Sequence, residues 1–564
     1  MWNILEFQMA HGGLVANSEN NFSVLMRCKF GWKEYNYDRL DIWINGSLTK
    51  AKVDLIFKSI LKNISNANTD YSSINEIVNS IKGSFALIIR SEQWIYAACD
   101  KVKSIPVSFV IVNNKIIVGD YAPLLVENAN LNKKNIDKFA VLQIAMSGYC
   151  FGNRTLYNNV YQLAAGQSIM VNANSVIRDY YYTYSPWKIK ENISKSKWVN
   201  KFSEVCWAAI DELIESADGR QIVIPLSAGN DSRLIASLLH EKKVKDVVCF
   251  SYGKKNNFEI QTAELISKKL GYQWLGISCN VNSQRVFFQS TVYKEYVDTF
   301  ESYNSIPAVH DISVISNIYE NNLISQDSII VNGSTGDFIS GGHINANILS
   351  NTNINSTMDD YISYFLDKHY SLWNNLRTNE NDKKIIDGLL SVVADRGISK
   401  TINSDNMYSF YETIEYAGRQ TQYVINQQRA YDFFGYGWRL PLWSDYFLDF
   451  WEQVPVQYKV NQNLYIDTLK KNNWGKVWLD YPVNMENVTP VSLKVLRNFI
   501  KLFFTPFGRD NWHDFDKRVF QYWTYISCNT AVSSYNKVLF DSRGYRNYIS
   551  WVTDQYLKGK DLEI

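Results

Sequence analysis

The chain has 564 residues, 46% of them hydrophobic and 20% charged, a globular composition that excludes wholesale disorder and suits about two to four domains. Lys plus Arg number 58 and Asp plus Glu 56, a net charge of +2, which argues against a nucleic-acid partner whose affinity rests on excess cation. Seven scattered cysteines, an odd number with no C-x-x-C pair, predict neither a disulfide framework nor a zinc site.

The chain opens MWNILEFQMAHGG, which lacks a basic segment and a sustained apolar segment and is not expected to be a signal peptide. No apolar run approaches the roughly 20 residues that span a bilayer, so the expectation is a soluble, cytoplasmic protein. Short β-rich runs follow at 22–30, 85–90, 94–100, 107–112 and 115–120, separated by turn residues such as Gly83 and Asn113-Asn114. Helical stretches near 73–81 and 135–147 interrupt them. This mix predicts an α+β domain with antiparallel sheets over residues 1–186.

A polar stretch at 183–200 marks the expected boundary near 186. Beyond it a helix (KFSEVCWAAIDELIES) leads into strand QIVIPLS, helix SRLIASLLHEKK, strand DVVCFSYG and helix FEIQTAELISKKLG. Strand YQWLGISC, a helical region at 308–322 and strand DSIIVNGS complete the series. Alternating β and α with near-continuously apolar strands predicts a doubly wound parallel sheet, with ligands at the carboxyl ends of the strands. Residues 355–480 read as mainly helical. The second domain is placed at 187–480, and 481–564 is read as an aromatic-rich helical extension.

The strongest local signal is Ile222 to Leu234, IVIPLSAGNDSRL. A hydrophobic strand enters the small-residue turn Leu226-Ser227-Ala228-Gly229-Asn230, which opens a helix at Asp231-Ser232. Small side chains let backbone N–H groups approach an anion, and the helix start favours negative charge. The pattern reads as a phosphate cradle without the G-K-[ST] of a Walker loop; the plain alternative is a tight turn with an Asp helix cap. A second glycine-rich segment, Asn332-Gly333-Ser334-Thr335-Gly336-Asp337 through Gly341-Gly342-His343, ends another predicted strand. If both strand ends face one crevice, Asp231 and Asp337 could share Mg²⁺, which takes one or two carboxylates plus phosphate oxygens.

These segments resemble the asparagine synthetase family. The first is similar to the family's S-G-G-x-D-S pyrophosphate loop, with Ala228 at the first Gly, and the second to its S-G-E-G-S-D-E-x-F-G-G-Y segment. Ser251 and Tyr252, in Phe250-Ser251-Tyr252-Gly253, fall where the family has its adenosine-binding edge. In the first domain, Gly83-Ser84-Phe85-Ala86, Ala98-Cys99-Asp100 and Ile105-Pro106-Val107 resemble the family's glutaminase pattern, as do Ser147-Gly148-Tyr149, Thr155-Leu156-Tyr157 and Ala165-Gly166. The resemblance runs in order over roughly residues 35–460. It implies an N-terminal Ntn-hydrolase-like sandwich of the class II glutamine amidotransferase type and a C-terminal ATP pyrophosphatase-type sheet. It also implies an ATP- and Mg²⁺-dependent amide ligase that forms an acyl-adenylate and releases pyrophosphate. The implied nucleotide contacts are Leu226, Ser227, Ala228, Gly229, Asn230, Asp231, Ser232, Ser251, Tyr252 and Gly333, with Asp231 and Asp337 on the metal.

Three departures modify that expectation. The family's glutaminase uses a Cys exposed after Met removal, whereas this chain reads Met1-Trp2-Asn3 and its first Cys is Cys28. Since acyl transfer needs a thiolate, the first domain is expected to keep the fold without the hydrolysis, with Arg39 and Asn45-Gly46 as remnants of the glutamine pocket or simply a strand and turn. The family's Glu is Ser334 here, and its Lys before Tyr is Leu464 before Tyr465. Ser334 cannot act as a carboxylate base and Leu464 cannot stabilise phosphate charge, so His343 and Arg419 are the candidate substitutes. Arg419 and Arg429 share a helical stretch that could bind phosphate or carboxylate bidentately.

Ammonia or an amine is therefore the expected nitrogen donor, and a small-molecule carboxylate the acceptor. A ligase acting on a peptide or sugar-linked carboxylate and a non-catalytic nucleotide-binding protein are the alternatives. The helical stretch from Val491 to Phe504 carries the polar stripe Lys494, Arg497, Asn498 and Lys501 on a strongly apolar background. It is expected to pack on its own domain rather than on a membrane.

Overall fold

A computed structural model describes residues 14–15, 21–37, 39–64, 71–173, 175–186, 191–254, 257–344, 358–397, 407–481, 483, 491–524 and 529–563. Trp2 and Cys528 lie outside the described residues. The chain divides into two compact units, the first made of Met1–Val141, Cys150–Thr183 and Phe300–Ser305, the second of Leu142–Tyr149, Tyr184–Thr299 and Ile306–Ile564.

The first unit holds two sheets. One joins β1 (Leu14–Val15), β2 (Phe22–Leu25), β8 (Lys115–Gly119), β7 (Ser108–Val112) and β9 (Val160–Gln162) in that order. The other runs β11 (Val176–Tyr180), β10 (Gln167–Asn172), β6 (Trp94–Cys99), β5 (Phe85–Arg90), β4 (Leu40–Gly46) and β3 (Lys33–Tyr37). Alternation along the strands sorts their side chains onto two faces. Ile42 and Ile44 of β4, Leu87 and Ile89 of β5 and Tyr96 of β6 pack with Val53, Phe57 and Ile60 of α1 (Lys50–Ile64) and with Ile74 and Val78 of α2 (Tyr71–Ser80). The alternate set, Trp43, Ala86, Ile88 and Ala97, is also buried, and β2 packs on β6. On the far side Leu25, Val110, Ile117 and Val160 pack against Leu125 and Val126 of the helix Ala122–Asn128. The layers therefore run helix, sheet, sheet, helix.

One pairing departs from the predicted antiparallel sheets. β2 lies parallel to β8, with Phe22 opposite Ile116 and Leu25 opposite Gly119. The physical reason is connection length: more than 80 residues, including β3 to β7, separate the two strands, so no hairpin imposes an antiparallel register.

The second unit is built on a five-stranded sheet of β14 (Gln273–Ser278), β13 (Val247–Gly253), β12 (Ile222–Pro225), β15 (Ile329–Val331) and β16 (Gly437–Arg439), parallel throughout. Ile222, Val223 and Ile224 are buried in succession, as are Ile329, Ile330 and Val331, the pattern of strands covered on both faces. Helix α3 (Lys195–Ala217) precedes β12, α4 (Asp231–Glu241) and α5 (Phe258–Leu270) follow β12 and β13, and α6 (Ile312–Glu320) precedes β15. The chain steps outward from β12 to β14 and then returns to β15 on the other side of β12. Its direction thus reverses at the β12–β15 junction, where doubly wound sheets open a crevice. The region read as mainly helical, 355–480, contributes β16, a three-residue strand too short to show a period of its own.

Candidate functional site

The crevice is a cavity of about 490 Å³ at the carboxyl ends of β12, β13 and β15. The turn after β12 supplies Leu226, Ser227, Gly229, Asn230, Asp231 and Ser232; the end of β13 supplies Phe250, Ser251 and Tyr252; and the segment after β15 supplies Asn332, Gly333 and Asp337. Thus the two glycine-rich loops, about 100 residues apart in sequence, line one site.

The first loop is held by its own hydroxyls and by one buried guanidinium. Ser227 donates its N–H to Ser232 Oγ at 3.1 Å, and Gly229 donates to Ser227 Oγ at 3.1 Å. Arg233, fully buried, donates to the Ala228 carbonyl at 2.7 Å and to the Val477 and Tyr481 carbonyls at 3.2 and 3.0 Å. Ala228 is accordingly buried and does not line the cavity, unlike its neighbours. Ser251 Oγ donates to the Leu226 carbonyl at 2.7 Å, tying the end of β13 to the same loop. The start of α4 has no side-chain cap, which leaves its first-turn N–H groups for other acceptors.

Asp231 therefore does not act as the helix cap that its position suggested. Its Oδ1 accepts from Tyr465 Oη at 2.9 Å and its Oδ2 from the Asp337 N–H at 3.1 Å. Burial, reinforced by the neighbouring Asp337 carboxylate, pushes the Asp231 carboxyl up to about 7. Two glycines make the convergence possible. A Cβ on Gly336 would sit 2.3 Å from Asp231 Cγ, and one on Gly333 would sit 2.8 Å from the Ser232 nitrogen. Two adjacent carboxylates beside small loops form the hard-oxygen set that Mg²⁺ accepts together with phosphate oxygens. A divalent cation held there would lower the Asp231 carboxyl again.

Several cavity residues were not singled out from the sequence: Glu259, His310, Asp311, Gln427 and Gln462. Asp311 accepts from Tyr252 Oη at 2.7 Å and from Tyr431 Oη at 2.6 Å, so Tyr252 reaches the cavity with its hydroxyl already committed. His310 meets Tyr548 Oη through Nε2 at 2.6 Å, while its buried Nδ1 has no hydrogen-bond partner among the described residues. Burial lowers its pKa, so the ring is neutral near pH 7. Burial also raises the Glu259 carboxyl. Glu259 lies in the helix FEIQTAELISKKLG read from the sequence, whereas the others belong to no local motif and are brought to the cavity by tertiary packing.

The two candidate substitutes, His343 and Arg419, are not among the residues that line the cavity. His343 is stacked between Phe338 and Tyr411, with ring centroids at 4.7 and 5.8 Å, and burial lowers its pKa. Arg419 holds its guanidinium 5.8 Å above the Tyr423 ring. Arg429 pairs with Asp432 at 2.7 Å. Ser334 is bound to Asn332 Oδ1 at 2.5 Å and to Gln427 Oε1 at 2.6 Å, and Leu464 is wholly buried beside Tyr465. A buried cation does lie on the same segment: Lys459 bonds Glu412 at 2.7 Å with neither side chain exposed.

In the first unit Arg39 is exposed in the β3–β4 turn, and Asn45 donates to the Phe30 carbonyl at 2.8 Å. Asp100 is a structural knot, accepting the N–H groups of Phe85, Val102 and Ser104 at 2.9 to 3.1 Å. Burial, with help from Asp120 and Glu34, pushes the Cys28 thiol up to about 11, and burial pushes Cys99 up to about 12.

Among the described residues no helix is long and apolar enough to cross a membrane. No family model matches the chain, and no curated protein matches it. Among solved structures it is similar to glutamine phosphoribosylpyrophosphate amidotransferase from B. subtilis, complexed with ADP and GMP, at 11% identity and a TM-score of 0.19. That match covers 54% of this chain and 64% of the other, so the chain spans less than two thirds of that relative. A structure described as the allosteric regulatory enzyme of purine biosynthesis is similar at 10% identity and a TM-score of 0.18, covering 44% of this chain and 71% of the other. At such TM-scores the likeness carries no functional argument, and the chemistry rests on the cavity itself.

Proposed function

We propose that this chain is an ATP-dependent amide ligase of the asparagine synthetase type. The observation that carries the reading is the meeting of Asp231 and Asp337 at the switch point of a parallel sheet, beside a small-residue loop and an uncapped helix start. The loop Leu226–Ser232 would take the triphosphate, with Gly333 opposite and Ser251 and Tyr252 at the nucleoside end. Asp231 and Asp337 would hold Mg²⁺, which when bound supplies neutralisation of the departing pyrophosphate charge.

In the reaction, a carboxylate oxygen of the acceptor attacks the α-phosphorus, and the bond to pyrophosphate breaks. The amine then attacks the acyl carbon, AMP leaves with the bonding electrons, and one proton of the nitrogen must be removed. His310, a cavity-lining imidazole that burial keeps neutral, is the group proposed to take that proton. Ser334 is not suited, since its hydroxyl is engaged with Asn332 and Gln427. Ammonia or an amine serves as donor because a glutaminase needs an activated thiol. Burial and the neighbouring Asp120 and Glu34 carboxylates raise the pKa of Cys28 rather than lower it.

A nucleotide-binding protein without turnover is the second reading, favoured by the buried Leu464 and the engaged Ser334. One experiment separates them: pyrophosphate release from ATP–Mg²⁺, screened across small carboxylates, peptides and sugar acids with ammonia or amines. Acceptor-dependent release is the expected result. Nucleotide binding without release for any pair would establish the second reading, and absence of nucleotide binding would remove both.

A further inference from the structure

Among the described residues four carboxylates line the cavity: Asp231, Glu259, Asp311 and Asp337. Three have donors. Asp231 accepts from Tyr465 Oη and from the Asp337 N–H, Asp337 receives the Phe338 N–H at 2.8 Å, and Asp311 is held by the hydroxyls of Tyr252 and Tyr431. Glu259 has no hydrogen bond or ion pair among the described residues. It stands in the first turn of α5, directly after β13, whose end brings Ser251 and Tyr252 to the same cavity. The residue is half-buried, and burial raises its carboxyl. A carboxylate drawn partly out of water without a donor is unfavourable, so the cavity wall carries an unmet demand for O–H or N–H groups at this point.

We propose that Glu259 takes the 2′- and 3′-hydroxyls of the nucleotide's ribose and makes the cavity selective for ribonucleotides over deoxyribonucleotides; the inference rests on the nucleotide reading above. Three features select the ribose. The triphosphate is repelled by a bare carboxylate and has the small-residue loop after β12 to itself. In doubly wound sheets the phosphates sit at the helix start after one strand, and an acidic residue further along the chain accepts the ribose hydroxyl. Here β13 is the parallel neighbour of β12, with Pro225 opposite Phe250, and Glu259 follows it. Finally, a vicinal diol offers two O–H donors to two carboxylate oxygens, as charge-assisted bonds of the short, strong kind. Such donors favour the charged carboxylate and oppose the effect of burial. The 6-amino group of a purine is the nucleotide's other donor, and the test below separates the two.

The test is calorimetric titration of the full chain with Mg²⁺ and ATP, 2′-deoxy-ATP, 3′-deoxy-ATP or inosine triphosphate, with no acceptor present. The wild-type chain should bind each deoxynucleotide about 10–100-fold more weakly than ATP, the worth of one hydrogen bond to a charged group. Glu259→Leu should bind ATP and both deoxynucleotides alike. Glu259→Gln, which keeps an acceptor oxygen but no charge, should retain about a fivefold preference for ATP. Equal wild-type affinity for ATP and the deoxynucleotides would overturn the inference and leave the nucleotide site standing. A ribose preference that survives in Glu259→Leu would overturn it too. So would loss, in that variant, of a preference for ATP over inosine triphosphate, which would assign the carboxylate to the 6-amino group. Failure of the wild-type chain to bind ATP at all would remove the proposed function and this inference together.

Discussion

Binding of Mg²⁺ with a nucleotide should expel a proton from Asp231. With its carboxyl pushed up to about 7 by burial and by Asp337, Asp231 carries a proton over much of the neutral range in the ligand-free protein. A cation between the two carboxylates requires the charged form, so binding and deprotonation are linked. The expected release from this site is about 0.9 proton at pH 6, about 0.5 at pH 7 and about 0.1 at pH 8. Calorimetric titration with a non-hydrolysable ATP analogue and Mg²⁺, in two buffers of different ionisation enthalpy, measures that number. The nucleotide's own protonation is measured without protein and subtracted. The same linkage acts on folding. Because the folded pKa lies above the unfolded value near 4, the ligand-free protein loses stability as pH rises from about 4 to 7, by up to about 4 kcal/mol from this group. Asp231→Asn should flatten that slope. Binding with the same proton count at pH 6 and pH 8 would refute the placement of the cation on Asp231.

Three further outcomes follow from the site and its supports. Gly336→Ala places a Cβ 2.3 Å from Asp231 Cγ and should abolish metal-dependent nucleotide binding at a cost of about 1–3 kcal/mol in stability; a folded variant with unchanged affinity by calorimetry would show that the two loops need not converge. His310→Asn should lower amide formation by about 10²–10⁴-fold and remove the acid limb of its pH profile, while acceptor-dependent ATP–pyrophosphate exchange persists; equal losses in both half-reactions would reduce His310 to a structural role. Lys459→Met, which leaves Glu412 charged and wholly buried, should cost about 3–5 kcal/mol in urea unfolding, and Glu412→Leu added to it should restore most of that.

Much of the second unit is legible because its signals are local. The apolar runs ending at Pro225, Gly253 and Val331 and the small-residue turns after them depend on neighbouring residues, and the structure places both loops at one cavity. What escaped depends on distant partners. β16 is three residues long and acquires strand character only by pairing with β15. His310 and Asp311 carry no motif and gain meaning from Tyr548 and from Tyr252 and Tyr431. His343 looked reactive because it ends a glycine loop, yet the loop turns it between two aromatic rings. For the helix Val491–Phe503 the periodicity was visible, but which arc faced solvent was decided by Asp516, Trp512 and Phe515.

The short segment Phe300–Ser305 lies in the middle of the second unit's sequence but belongs to the first unit. Its Asn304 accepts from the buried Lys103 ammonium at 3.2 Å and donates to the Arg154 carbonyl at 2.8 Å, while the Asn304 and Tyr303 carbonyls receive the N–H groups of Cys150 and Leu156. The first unit is therefore unfinished when the ribosome has passed residue 183. At about 5–20 residues per second, some 120 further residues add a wait on the order of ten seconds, during which the contacts of Tyr303 and Asn304 are unmade. A fragment cut near residue 186 would be held in that unfinished state permanently, and swapping this unit between proteins as a contiguous cassette would sever it from six of its own residues.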